Sequence, residues 1–144
     1  MSTPSRISIP RVLLGGLVAG LISNVSGILI GILVLHEEAA AMIAALKSPP
    51  SPLQMFVQHV SMRFAFGFFV VWLYAAIRPR FGPGPATALR AALFVYLAAY
   101  ASTALLFLEI EVYSPASTAI VLVWSLAEVV LMAMAGAWLY RERS

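Results

Sequence analysis

Nine Lys/Arg and six Asp/Glu are the whole charged complement of the 144 residues, and only Arg63 and Glu128 lie deep inside long apolar stretches. A lone charge at the centre of a bilayer costs at least about 2.5–3.5 kcal/mol on insertion scales. Two such residues of opposite sign therefore point to an ion pair. His59 stands one turn from Arg63 on the same helical face, and Ser125 one turn before Glu128. Asn24 and Tyr100 are the polar residues of two further apolar stretches at a similar depth, and read as hydrogen-bond neighbours of the pair. The candidate polar cluster is thus Asn24, His59, Arg63, Tyr100, Ser125 and Glu128.

Three chemistries are open to such a cluster. A buried pair can specify which helix faces which while adding little stability. The same groups can line a proton or ion path, or a pocket for a small polar ligand. A glutamate left unpaired there would hold and pass on a proton, whereas one paired with arginine stays ionised. In the third case Arg63 snorkels outward and never meets Glu128. Gln54, Gln58 and Ser61 form another polar stripe on the same half of the second stretch, roughly opposite His59 and Arg63. A helix polar on both sides is either buried on both sides or faces water there.

The elements that position these residues follow from composition. Apolar residues make up 62% of the chain and charged residues 10%, more apolar than a soluble fold of this size can hide. Prolines at 4, 10, 49, 50, 52, 79, 83, 85 and 115 divide the chain into blocks. Between them lie four apolar stretches at about 11–35, 53–77, 86–109 and 116–140. Each is roughly 36 Å long as a helix, enough to cross a hydrocarbon core of about 30 Å with some tilt. Backbone groups in lipid must bond internally, so the stretches read as helices. The expected fold is all-α: an antiparallel up-down four-helix membrane bundle in a single domain. The first stretch is too long for the apolar region of a cleaved signal peptide and reads as retained. At the helical rise, Arg63, Glu128 and Asn24 fall about 15, 18 and 16 Å from the same end of the bundle.

Charge placement orients the bundle. Arg6, Arg11, Arg78, Arg80, Arg90, Arg141 and Arg143, with only Glu142 against them, gather at one end. The other end has Lys47 against Glu37, Glu38, Glu109 and Glu111. Basic residues mark the cytoplasmic side, so both termini are expected there. Trp72, Tyr74, Trp138 and Tyr140 fall near that end and Tyr113 near the other, as interfacial aromatics do. In the first outer loop, 37–47 reads as a short interfacial helix with an apolar stripe at Met42, Ile43 and Leu46, stopped by Ser48-Pro49-Pro50-Ser51-Pro52.

Small residues recur in the first stretch, with Ala19, Ser23, Gly27 and Gly31 in one row and Gly16, Gly20 and Asn24 in another. Such rows let helix backbones approach closely, either within this chain or against another subunit. Enzyme templates are absent. The chain has no cysteine, no G-x-S-x-G and no H-E-x-x-H. Phe81-Gly82-Pro83-Gly84-Pro85 joins two spans as a turn and lacks a phosphate-binding pattern. His36 and His59 lack any accompanying ligand pattern, and Glu109 and Glu111 read as solvated loop carboxylates. Ser114-Pro115 reads as a helix start. The pI near 9.7 comes from dispersed charges rather than a basic patch, so no nucleic-acid partner is expected.

The segment Arg11–Gly20 with Asn24, the loop Trp72–Pro85, and the late Gly136-Ala-Trp138-Leu-Tyr140-Arg-Glu142 together resemble a group of small bacterial four-span membrane proteins of no assigned function. The resemblance implies a bacterial inner-membrane protein and carries over no catalytic residues. The leading expectation is a non-enzymatic membrane component that packs against itself or against a larger membrane assembly, with the lipid bilayer as its surroundings and no cofactor or metal. The alternative is a small transporter or proton/ion conductor working through Arg63, Glu128, Asn24 and His59. An enzyme acting on lipid is the third reading, and no catalytic set supports it.

Overall fold

A computed structural model describes residues 7–140. It is all-helical, with α1 Ile9–Leu33, α2 His36–Ala45, α3 Pro52–Phe81, α4 Pro85–Val95, a π-helical segment Tyr96–Ala101, α5 Ser102–Glu109 and α6 Pro115–Leu139. α4, the π segment and α5 run on as one rod, the third span, Pro85–Glu109. With α1, α3 and α6 it makes four helices long and apolar enough to cross a membrane.

Local chemistry sets the helix starts. Proline occupies the first turn of α1, α3, α4 and α6, where its missing N–H is no loss. Ser51 accepts from the Gln54 N–H while the Gln54 side chain accepts from the Ser51 N–H, a reciprocal cap on α3. Ser114 caps α6 through the Ser117 N–H. α3 ends at Gly82, whose φ of +81° only glycine adopts readily.

Three expectations need correction here. The second span does not stop before Pro79 but runs through it to Phe81. A proline in the final turn removes a single helical bond, and little helix remains to be distorted. The helix in the first loop ends at Ala45, so Leu46 leaves it in an extended conformation and takes no part in a stripe with Met42 and Ile43. α2 buries no residue; α1 is the one helix it packs on, and its Glu38 accepts from the Ser114 N–H at 3.4 Å. Tyr74 and Tyr140 are not interfacial, each being only 3% exposed. The Tyr74 hydroxyl accepts from the Gly84 N–H at 3.2 Å, and that of Tyr140 from the Ser8 N–H at 3.0 Å. These loop N–H groups would otherwise be unpaired, and the two rings meet edge-on at 6.0 Å. Trp72 and Trp138 stay exposed.

α1 packs beside α3 and α6, and the third span beside α6 and α3. The small rows of α1 serve the first of these contacts. A Cβ on Gly67 of α3 would strike the backbone of Gly16 and Gly20, while Phe68 and Phe64 lie over those same glycines. Ala19 and Ser23 are fully buried between the helices. The face is therefore filled by this chain's own α3, which answers the choice between internal and intersubunit packing for those residues. Gly31 is the exception, with open space around it and no packing role. Toward the chain's ends the interior closes on Val70, Val71, Val95, Val129, Met132 and Ala133, none more than 1% exposed. Arg6, Arg141, Glu142 and Arg143, part of the charge asymmetry, lie outside the described residues.

Candidate functional site: a charged centre between four helices

α1, α3, the π segment and α6 each bring groups to one point. Glu128 on α6 is the hub, its side chain 2% exposed. Its Oε1 accepts from Arg63 Nη1 of α3 at 3.1 Å, from the Ser23 hydroxyl of α1 at 2.7 Å and from the Tyr100 hydroxyl of the π segment at 3.2 Å. Its Oε2 accepts from the Ser26 hydroxyl at 2.6 Å, and Ser26 in turn accepts from Trp124 Nε1 at 2.8 Å. A carboxylate is acceptor-only, and its donors here come from three other helical segments.

Arg63 is held as firmly. Nη1 also donates to the Ser23 carbonyl at 2.7 Å, and Nε donates to His59 Nε2 at 2.8 Å. With Nε2 as acceptor, the His59 ring is neutral and its proton sits on Nδ1. Gly27 makes this possible, because a Cβ there would run into the guanidinium. Gly27, expected as part of a helix-packing row, is instead the recess that admits the Arg63 head. The two charges cancel locally, and hydrogen bonds to both meet the condition for keeping an ion pair out of water.

The structure brings together His59, Arg63, Tyr100 and Glu128 from the expected cluster. It leaves two others out. Asn24 Nδ2 donates to the Gly20 carbonyl at 2.8 Å, and its Oδ1 is buried without a partner. Ser125 turns back on its own helix and donates to the Val121 carbonyl at 2.6 Å. Depth along the helix places Asn24 correctly, but each residue turns about 100° around the axis at 3.6 residues per turn. Ser23, Ser26 and Gly27 face Arg63 and Glu128, and Asn24 lies to the side. The spacing of those three residues, i, i+3 and i+4, is the signal in the sequence that could have located the true face. Trp124, one turn before Glu128, is the other.

Two clefts reach this centre, one lined by Glu128 and the other by Arg63. Between α1 and α6 lies an apolar cleft of about 1020 Å³, walled by residues such as Leu21, Val25, Ile120 and Val123, with Ser26 and Glu128 among its lining. Between α3 and the π segment a smaller cleft of about 390 Å³ is lined by Gln58, His59, Met62, Arg63, Phe66 and Tyr100. Beneath the pair lie Val70, Val71, Val129, Met132 and Ala133, each fully buried. Among the described residues no group of three or more His, Cys, Asp or Glu could hold a metal ion. His36 is largely exposed beside Glu37, and Glu109 and Glu111 are exposed at the end of the third span. Compared with family models, with curated proteins and with solved structures, the chain shows no match.

Proposed function

We propose that this chain is a non-enzymatic component of a bacterial inner-membrane assembly, spanning the membrane up and down with both termini in the cytoplasm. The sided distribution of Lys and Arg supports the orientation, and the resemblance described above supports the bacterial inner membrane. One observation carries the assembly role. No residue of α3 before Gly67 is buried by its own chain, although this half carries Gln58, His59 and Ser61. Polar groups in a span are costly against lipid and belong against protein or water. A neighbouring membrane subunit covering this half of α3 would satisfy them. In this reading the Arg63–Glu128 pair is a tie that holds α1, α3 and α6 in register.

Purification of the tagged chain from its native membrane in mild detergent tests the role. A stoichiometric complex with other membrane proteins is expected. A lone monomer would overturn the reading. A complex of identical copies would restrict it to self-assembly, the form in which the alternative becomes testable. That alternative, a proton or ion conductor, is favoured by the cleft that leads to Arg63. It is opposed by the apolar layer beneath Glu128, which a single chain offers no polar route across. Proton flux in liposomes holding only this protein, lost in Glu128→Gln, would establish it.

A further inference from the structure

We propose that the cleft between α3 and the π segment binds the carbonyl oxygens of an uncharged, lipid-soluble molecule, and that a quinone ring fits its walls. Charge decides against an anion. Arg63 is the cleft's cation, and Glu128 neutralises it at 3.1 Å. What remains are donors without net charge. His59 gives its Nε2 to Arg63, so Nδ1–H is its donor, and the Gln58 amide supplies another. Neutral donors are matched by neutral acceptors, and carbonyl oxygens are the commonest acceptors soluble in a bilayer.

Shape selects further. Phe66 and Tyr100 present rings 5.5 Å apart, inclined at 49°, and Met62 adds a thioether wall. Aromatic faces and polarisable sulfur favour a flat ring. The volume of about 390 Å³ admits one ring with the start of a tail. In the isolated chain the cleft opens on the half of α3 where no residue is fully buried, so a ligand reaches it from the lipid side. The π segment contributes Tyr100, whose hydroxyl is anchored on Glu128 and holds that wall in place. π-helical turns within α-helices are frequent at functional sites. Ester carbonyls of a neutral lipid share this chemistry, and the experiment separates the two sources. The cleft and the proposed subunit contact share this half of α3, so the test is made on the isolated chain, and a subunit seated there would close the mouth of the cleft.

The test uses the full chain in alkyl maltoside micelles, which carry no carbonyl groups. An azido-benzoquinone with a decyl tail is photoactivated and its adducts are mapped by mass spectrometry. Adducts on residues 55–66 and 96–100, displaced by excess unlabelled decylbenzoquinone, are expected. His59→Leu should weaken displacement by about fivefold, the loss of one neutral hydrogen bond. Met62 is exposed, so Met62→Trp fills the cleft without touching the core and should abolish labelling while helix content and monodispersity stay unchanged. Displacement by diacylglycerol and not by the quinone would assign the site to a lipid ester. Equal labelling along the lipid-facing sides of α1 and α6, or labelling untouched by Met62→Trp, would overturn the proposal, as would displacement by inorganic phosphate.

Discussion

The two halves of the bundle are built from different residues for different ends. Toward the chain's ends, glycine, alanine and valine bring the helices into close contact. Gly67 meets Gly16 and Gly20, Gly136 meets Val71, and the residues between are sealed from solvent. Toward α2, α3 carries Leu53, Phe56, Gln58 and His59 in exposed positions, and none of its residues before Gly67 is fully buried. The charged centre sits at the boundary. Small residues let backbones touch and give up lipid contact for dispersion, which drives association when lipid is as apolar as the side chains. Large and polar residues leave room, and two clefts open on that side. Stability and accessibility are thus separated along the length of the same helices.

Substitutions across the two halves test this division. The largest effect is expected at the boundary. Removing one partner of the pair, as in Glu128→Ala, should cost about 3–5 kcal/mol, because Arg63 is left buried and uncompensated. Arg63→Met with Glu128→Leu together should recover most of that loss. A double variant no more stable than the single one would mean that the pair is more than a tie. Next comes the closed half, where Met132→Ala should cost about 2–4 kcal/mol by leaving a cavity. Reversible unfolding in mixed micelles measures both. Gly67→Leu must push α1 and α3 apart, whereas Gly31→Leu meets open space and should shift stability by less than about 0.5 kcal/mol. Equal losses for these two glycines would erase the distinction between the halves. Ser26→Ala removes one donor from Glu128 and leaves Trp124 without its acceptor, at a cost of about 1–2 kcal/mol. The smallest effect belongs to the open half. Gln58→Leu should leave the isolated chain's stability unchanged, since Gln58 is exposed and no described residue hydrogen-bonds its side chain.

Much of this was legible in the residues and some of it was not, for physical reasons. Composition and prolines located the spans, because a helix in lipid has a required length and no use for an interior break. Depth alone matched Arg63 to Glu128. Angle was harder. Asn24 is the most polar side chain in the middle of α1 and drew attention for that reason, while Ser23 and Ser26, smaller and less conspicuous, face the carboxylate. Serine can stand in a packing row and donate a hydrogen bond at once, so its role depends on what lies opposite. Tyr74 and Tyr140 looked like interfacial aromatics because their positions near the span ends are right. Their burial follows from the N–H groups of Gly84 and Ser8, which lie across the bundle end from them. The π segment leaves no mark in the sequence, since a single altered turn needs no special residue.

The pairing of Arg63 with Glu128 across 65 positions of sequence also sets a schedule. Chains are made at roughly 5–20 residues per second. By that rate about 3–13 s separate the synthesis of Arg63 from that of its counter-ion. During that interval the nascent hairpin of α1 and α3 carries an uncompensated cation. The partners already made are the Ser23 carbonyl, one turn from the Gly27 recess, and His59 on the same helix. The first hairpin therefore supplies a provisional berth for the guanidinium, and the last helix completes it on arrival. The order of the elements along the chain makes α6 the latch, and a ribosome stalled before it would leave a membrane intermediate with its charge still waiting.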